Sequence, residues 1–205
     1  MPYENMKIQL VDTPPISKFH AEPWLPGIVR TADAVLLVAD LTSDEVVENI
    51  EVIEEFLEKQ NVYLRPKDDM SEFATVKKTI LLTNKNDIPD IEVIEEIIRE
   101  TYQSKYEIFS ISSKTGNNLE ELKHKIFDML DIIRIISKVP GKKADLNAEP
   151  IVLKKGSTVL DLAQNIHKEI AQHLKTAKVW NSTKYKDGQN IAVGESLEDG
   201  NIIEL

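Results

Sequence analysis

A short polar segment, Asn84-Lys85-Asn86-Asp87, carries the side chains with the most specific potential chemistry in the sequence. The Asp87 carboxylate can accept two N–H bonds from the N1 and 2-amino edge of guanine, an edge that adenine does not offer. The methylene stem of Lys85 can lie along a ring face, and the Asn84 amide can donate to a base or connect two loops. The segment therefore predicts guanine recognition, although the tetrapeptide alone is equally compatible with an ordinary polar loop after a strand.

Two further polar segments follow predicted strands, at Asp12-Thr13-Pro14-Pro15 and at Ser112-Ser113-Lys114. Loops that leave the carboxyl ends of parallel strands meet along one edge of an open α/β sheet, so all three segments are expected to line one crevice. Asp12 is expected to hold Mg²⁺ through water, because Mg²⁺ retains most of its hydration shell. The third segment offers a backbone N–H to the guanine carbonyl. Together, the three segments predict a guanine-nucleotide site.

Apolar, β-branched runs alternate with helical patterns before and between these segments. Strands are predicted at residues 7–11, 34–39, 79–83 and 106–111, with helices beginning near Thr42, Pro89 and Asn117 or Asn118. Successive strands separated by helices predict parallel pairing with right-handed crossovers. The sequence therefore predicts an α/β domain with a doubly wound sheet.

The pattern changes after Asp131. Apolar runs predict a hairpin, a helix follows a Ser157 or Thr158 cap, and three short strands close the chain, at residues 132–138, 150–153, 177–180, 189–193 and 201–205. This order predicts a small ubiquitin-like β-grasp unit over 132–205 after an α/β unit over 1–131. Charge also separates them, since residues 1–131 carry a net −12 and residues 132–205 a net +2.

Composition narrows the class of protein. The 205 residues include no cysteine, which excludes disulfides and thiolate metal sites and is compatible with a cytoplasmic protein. The sequence contains no apolar run long enough for a membrane span, and its first residues do not resemble a signal peptide. The net charge of −10 makes bulk binding to nucleic acid unfavourable, so no DNA partner and no membrane partner are expected.

The three segments resemble the third, fourth and fifth signatures of translation-factor-type GTPases in order and spacing. The resemblance is greatest to the developmentally regulated GTP-binding (DRG) branch of the Obg-like family, which residues 27–33 also resemble. Residues 166–168, 179–180 and 197–200 resemble a TGS domain, the β-grasp module appended to these GTPases. The resemblance implies GTP or GDP as ligand, Mg²⁺ in the parent protein, slow hydrolysis, and a partner linked to the ribosome, RNA or translation. It implies nucleotide contacts at Asn84, Lys85, Asp87, Ser112, Ser113, Lys114, Asp12 and Thr13, and it assigns no catalytic residue.

The sequence departs from this family in the phosphate-binding part. No G-x-x-x-x-G-K-[ST] segment occurs, and Pro15 stands where the family usually has a glycine whose N–H contacts the γ-phosphate. The expected fold is therefore a partial P-loop GTPase sheet that lacks its phosphate loop, from the C-terminal part of a longer GTPase or, less favoured, a shortened paralogue. Weak nucleotide binding and no activity by itself are expected. The alternative is a non-enzymatic module that binds RNA or protein and keeps a remnant G domain as a scaffold.

Overall fold

The computed structural model describes all 205 residues and divides them into two compact units. The terminal unit joins Met1–Leu10 to Asp131–Leu205, and the central unit contains Val11–Leu130. This division differs from the expected ranges, 1–131 and 132–205, in where the first ten residues lie. None of the helices combines the length and the apolar character that a membrane crossing requires.

The helices and strands are numbered along the chain. They are β1 (Pro2–Tyr3), β2 (Met6–Lys7), α1 (Leu25–Thr31), β3 (Ala34–Asp40), α2 (Val46–Glu58), β4 (Val62–Tyr63), β5 (Thr75–Val76), β6 (Lys78–Asn84), α3 (Glu92–Tyr102), β7 (Glu107–Ile111), α4 (Leu119–Met129), β8 (Ile132–Ser137), β9 (Ile151–Lys154), α5 (Val159–Ile166), α6 (Lys168–His173), β10 (Thr176–Trp180), β11 (Gln189–Ala192) and β12 (Ile202–Glu204).

The central unit is built on a parallel sheet with the strand order β3-β6-β7. The predicted strands and helices from residue 34 to residue 129 are confirmed, except that the segment expected to be a loop at 61–76 contains the short parallel pair β4 and β5. One face of the sheet packs on α2 and α3 through a continuous apolar core that includes Leu37, Leu81, Ile50 and Ile98. Burial of this face fixes which side chains of each strand point inward and which reach the edge.

The predicted strand at residues 7–11 is wrong. Residues 2–3 and 6–7 instead form an antiparallel hairpin, β1–β2, closed by hydrogen bonds between Met1 and Ile8 in both directions. The apolar side chains Tyr3, Met6 and Ile8 are buried in the terminal unit, where Arg134 contacts the Tyr3 ring and pairs with Glu4. The hairpin thus buries only one apolar residue of the predicted strand, Ile8, while Leu10 and Val11 stay exposed.

The terminal unit is a mixed five-stranded sheet in the order β11-β10-β12-β8-β9, with β8 and β12 parallel. The helix α5 packs on this sheet and begins with a capping box, in which the Thr158 hydroxyl accepts from the Asp161 N–H and the Asp161 carboxylate accepts from the Thr158 N–H. The predicted single helix from this cap to Leu174 is interrupted at His167, whose extended backbone ends α5 and starts α6. The predicted hairpin, helix and closing strands are otherwise confirmed.

The hairpin can be tested with a matched pair of truncations. Met6 is 8% exposed and Leu10 is 55% exposed. Met6→Ala should lower the free energy of unfolding of the terminal unit by about 2–5 kcal/mol because it leaves a cavity. Leu10→Ala should change it by less than about 0.5 kcal/mol. Urea unfolding followed by the amide signals of β10 and β12 measures both, and a larger loss for Leu10→Ala would restore the strand at 7–11.

Candidate functional site

The strands β3, β6 and β7 end side by side. Their parallel register pairs Asp40 with Asn84 and Asn84 with Ile111. The three loops that follow these residues therefore start at one edge of the sheet, the carboxyl edge where open α/β sheets bind ligands. Two of these loops were predicted from the sequence to form a site, and the third, after Asp40, was not.

Asn84 joins the loops after β6 and β7. Its Oδ1 accepts from the backbone N–H of Lys85 at 2.8 Å and from that of Ser113 at 3.0 Å. Its Nδ2 donates to the Ser113 Oγ at 3.1 Å. One side chain thus satisfies polar groups on both loops and fixes their separation, which is the second of the two roles predicted for this amide.

The Lys85 ammonium is held by the loop after β3. It donates to the Asp40 Oδ2 at 2.6 Å and to the Thr42 Oγ1 at 3.1 Å. Partial burial raises the pKa of Asp40, but the hydrogen bonds from Lys85 and Thr42 outweigh it, so that the pKa lies below its usual value. Asp40 is therefore ionised at neutral pH and forms an ion pair with Lys85.

Asp87 is oriented by Ser112, which is fully buried. The Ser112 Oγ donates to the Asp87 Oδ1 at 2.6 Å and itself accepts the Thr115 N–H at 3.1 Å. This hydrogen bond from Ser112 holds the pKa of Asp87 below its usual value. A carboxylate has about four acceptor positions, and the Ser112 hydroxyl and the backbone N–H of Asp87 use some of them, so that others remain for N–H donors of a ligand.

The asparagines near the site brace the same two loops. Asn86 donates through Nδ2 to the Ser110 Oγ at 3.2 Å and accepts from the Asn117 Nδ2 at 3.3 Å. Asn118, predicted as a candidate N-cap of α4, makes no cap with its side chain and instead donates to the Ser110 carbonyl at 2.8 Å. The Gly116 N–H closes the turn on the Ser112 carbonyl at 2.9 Å, in a left-handed conformation (φ +83°) that suits glycine.

Ser113 and Lys114 are exposed at the rim of this edge. The Ser113 N–H is engaged by Asn84, so the Lys114 N–H is the one that remains for a carbonyl acceptor on a ligand. The charge of Lys114 contributes to the lowered pKa of Asp87, after the larger effect of the Ser112 hydrogen bond. The predicted residues Asn84, Lys85, Asp87, Ser112, Ser113 and Lys114 are therefore brought together.

Asp12 and Thr13 are not placed at the end of a strand. They lie exposed in an irregular segment, because the residues before them form the hairpin and do not join the sheet. The structure also contains no group of three or more His, Asp or Glu side chains that could hold a metal ion. The residues present do not by themselves fit the predicted Mg²⁺ site at Asp12, since one carboxylate leaves most of the coordination to water and ligand oxygens.

Asp40 and Thr42 are the site residues that the sequence prediction missed. Thr42 was expected to begin α2 as a cap, but its hydroxyl donates to the Asp40 Oδ1 at 2.7 Å and the helix begins three residues after Ser43. A signal was available, because Asp40 ends the apolar run 34–39 in the same way that Asn84 ends the following one.

Comparison with known proteins relates the chain to one domain family and to several GTP-binding proteins. Residues 133–205 match the TGS domain family. A GTP-binding protein of Methanocaldococcus jannaschii is 28% identical over 98% of this chain and 52% of its own length. A Dictyostelium discoideum homologue of developmentally regulated GTP-binding protein 2 is 27% identical over 62% of this chain and 34% of its own length. The crystal structure of a GTP-binding protein from Pyrococcus horikoshii superposes with a TM-score of 0.61 at 16% identity, over 86% of this chain and 79% of that one.

The chain thus has DRG-like GTP-binding proteins as homologues and carries a TGS domain at residues 133–205. It spans about half the length of the archaeal relative and about a third of the Dictyostelium one. The likeness to the Pyrococcus structure concerns the mixed α/β fold. The resemblance to GTP-binding proteins that the sequence motifs predicted is confirmed.

Removing the Asn84 amide should separate the two loops. Asn84→Ala leaves the Lys85 and Ser113 N–H groups without their acceptor and should lower the free energy of unfolding of the central unit by about 1–3 kcal/mol. Asn147→Ala, at an exposed asparagine of the terminal unit, is the control and should have little effect. Urea unfolding followed by the amide signals of β6 measures both variants, and equal stabilities would contradict the role assigned to Asn84.

Proposed function

We propose that the loops after β3, β6 and β7 form the base-binding part of a guanine-nucleotide site. The observation that carries this proposal is the double acceptance by Asn84 Oδ1, which sets the Asn84–Asp87 loop against the Ser112–Lys114 loop. The GTP-binding homologues support the same ligand.

Each contact predicted for the guanine base has a candidate group among these loops. Asp87 is ionised and held by Ser112, so it can accept the N1 and 2-amino hydrogens of guanine together. The Lys114 N–H can donate to the guanine carbonyl, and the Lys85 stem can cover one face of the ring. Adenine lacks the paired donors and carries an amino group in place of the carbonyl. The site therefore selects guanine over adenine.

These residues provide fewer contacts for the phosphates of the nucleotide than for its base. The sequence lacks G-x-x-x-x-G-K-[ST], whose backbone N–H groups and lysine cradle the phosphates. The site therefore recognises the base but binds the phosphates weakly. GTP hydrolysis is proposed for a longer parent protein. Mg²⁺ is proposed only for that parent, held by phosphate oxygens and water, because Asp12 and Thr13 lie exposed in an irregular segment and do not fit a metal site.

The TGS domain is proposed to connect the nucleotide site to a partner in translation. A five-stranded mixed sheet with the helix α5 packed on it supports the predicted β-grasp unit. RNA or a ribosomal protein in the cytoplasm is the proposed partner, by the resemblance given above and not by charge, since acidic and basic residues nearly balance in this unit.

A second function is favoured by one specific observation. Residues 1–10 pack with the TGS domain and do not add a strand to the β3-β6-β7 sheet. The Asp12 segment is therefore not held at the site edge by a neighbouring strand. The chain would then serve as a non-enzymatic module, in which the TGS domain binds RNA or protein and the central unit is its scaffold.

Direct titration separates the two functions. Fluorescent GDP should bind this chain, but with a dissociation constant above the micromolar range, because several charge-assisted phosphate contacts of about 1.5–3 kcal/mol each are missing. Fluorescent ADP is the control and should bind more weakly still. Submicromolar GDP binding would overturn the expected weakness, and equal affinity for GDP and ADP would favour the non-enzymatic module.

Exchanging the carboxylate at position 87 should change which base is preferred. Asp87→Asn keeps an acceptor for Ser112 but presents an N–H₂ donor to the ligand. Guanosine binding should fall by roughly tenfold or more, corresponding to about 1–3 kcal/mol for an unpaired donor. Xanthosine, whose 2-carbonyl is an acceptor, should gain.

The matched control is Asp90→Asn, which makes the same chemical change three residues away. NMR shift titrations of the Asn84–Asp87 amides compare the nucleosides. An Asp87→Asn variant that keeps the guanosine preference would exclude Asp87 from base contact.

A further inference from the structure

The ammonium of Lys85 belongs to a closed set of hydrogen bonds that the base-recognition motif does not include. Asp40 uses both carboxylate oxygens, one for Lys85 at 2.6 Å and the other for the Thr42 hydroxyl at 2.7 Å and N–H at 2.9 Å. The Thr42 hydroxyl also accepts from the Lys85 ammonium at 3.1 Å. Each of the three side chains is therefore held by the other two, and the long lysine side chain has both ends fixed.

The backbone of Lys85 also has an unusual conformation. Its φ is +75°, a left-handed value that is unfavourable for a side chain other than glycine or asparagine. Its N–H donates to the Asn84 Oδ1, and Asn84 is paired in the sheet with Asp40. The two ends of Lys85 are thus tied to two neighbouring positions of the sheet edge, which keeps the residue in a conformation that it would not adopt alone.

The ion pair is too exposed to be explained by stability. The side chains of Lys85 and Asp40 are 43% and 47% exposed. Pairs of this kind contribute little to folding, because solvent screens them and two side chains lose freedom. Fixing a lysine side chain costs about 1.5–2 kcal/mol in rotamer entropy. A ligand that binds along a side chain already ordered in the free protein does not bear this cost, so it binds more tightly.

We propose that Asp40 and Thr42 are positioning residues for the guanine base, which hold the Lys85 stem as a preformed wall of the site. This inference rests on the guanine site proposed above and adds a third loop to it. A base that lies on the stem removes water from the neighbouring ion pair and strengthens it, since attraction between charges grows as the local dielectric constant falls. Binding of the base and formation of the ion pair therefore favour each other.

An uncharged ligand gives the cleanest test. Guanosine carries no phosphate, so any salt dependence of its binding comes from charges of the protein. Shift titrations of the full chain follow the Asn84–Asp87 amides, with adenosine as the selectivity control. Asp40→Asn retains an acceptor for Thr42 but removes the charge, and it should weaken guanosine binding about threefold to fivefold. Asp44→Asn, at an exposed aspartate of the same loop, should bind as the unaltered chain does.

Two further readouts separate positioning from a general effect on the fold. High salt should weaken guanosine binding to the unaltered chain more than to Asp40→Asn, because the variant has already lost the screened ion pair while the charge of Asp87 is present in both. Lys85→Met keeps most of the stem and loses the ammonium, so it should match Asp40→Asn, and the double variant should show no further loss. Thr42→Val, which keeps all charges, should lose about twofold and serves as the test variant if Asp40→Asn does not fold.

The outcomes distinguish this inference from the function on which it rests. Guanosine-selective shifts in the unaltered chain that are the same in Asp40→Asn and Thr42→Val overturn the positioning role and leave the guanine site standing. Absence of guanosine-selective shifts in both the unaltered chain and Asp44→Asn overturns the guanine site, and the positioning role with it. A selective response that Asp40→Asn weakens, and that high salt weakens more when Asp40 is present, establishes both.

Discussion

The parallel register of β3, β6 and β7 is the constraint on which the site depends. It sets Asp40, Asn84 and Ile111 side by side at the carboxyl edge of the sheet. A slip by one residue would move Leu37 and Leu81 out of the apolar core and turn every edge side chain to the opposite face. The energy that fixes the core therefore also fixes the distance between the polar loops. The site inherits its geometry from apolar packing and needs only short side chains to complete it.

The short side chains of the site are of two kinds, neutral and charged, and the two kinds have different roles. Amides and hydroxyls connect the loops, with Asn84 and Ser112 each bonded to two partners. The two carboxylates, Asp40 and Asp87, are kept ionised by the donors around them. The neutral groups set positions that do not change with salt or pH near neutrality, and the charged groups remain available to a ligand. Such a division gives a preformed polar surface at this edge of the sheet.

The sequence was sufficient for elements whose signal is local. Apolar runs that end at polar residues predicted β3, β6 and β7, and the order of polar motifs predicted the Asn84 and Ser112 loops. The prediction at 7–11 failed because periodicity gives the shape of a strand but not its partner. Ile8 is buried in the terminal unit, whereas Leu10 and Val11 remain exposed. Asp40 was missed for a similar reason, since its partner Lys85 is 45 residues away. The break at His167 was also missed, because the apolar spacing of α5 continues into α6.

The hairpin at residues 1–8 gives the chain an order of folding. The unit that contains the TGS domain is discontinuous, and the whole of Val11–Leu130 is inserted between its two pieces. During synthesis the hairpin precedes the central unit, and it has no surface of its own unit to bury against until residues beyond 131 have left the ribosome. Contacts so distant along the chain form slowly, since a long loop must close before they contribute. The central unit, whose strands are neighbours in sequence, can fold earlier, whereas the terminal unit can be completed only after its second piece has been made.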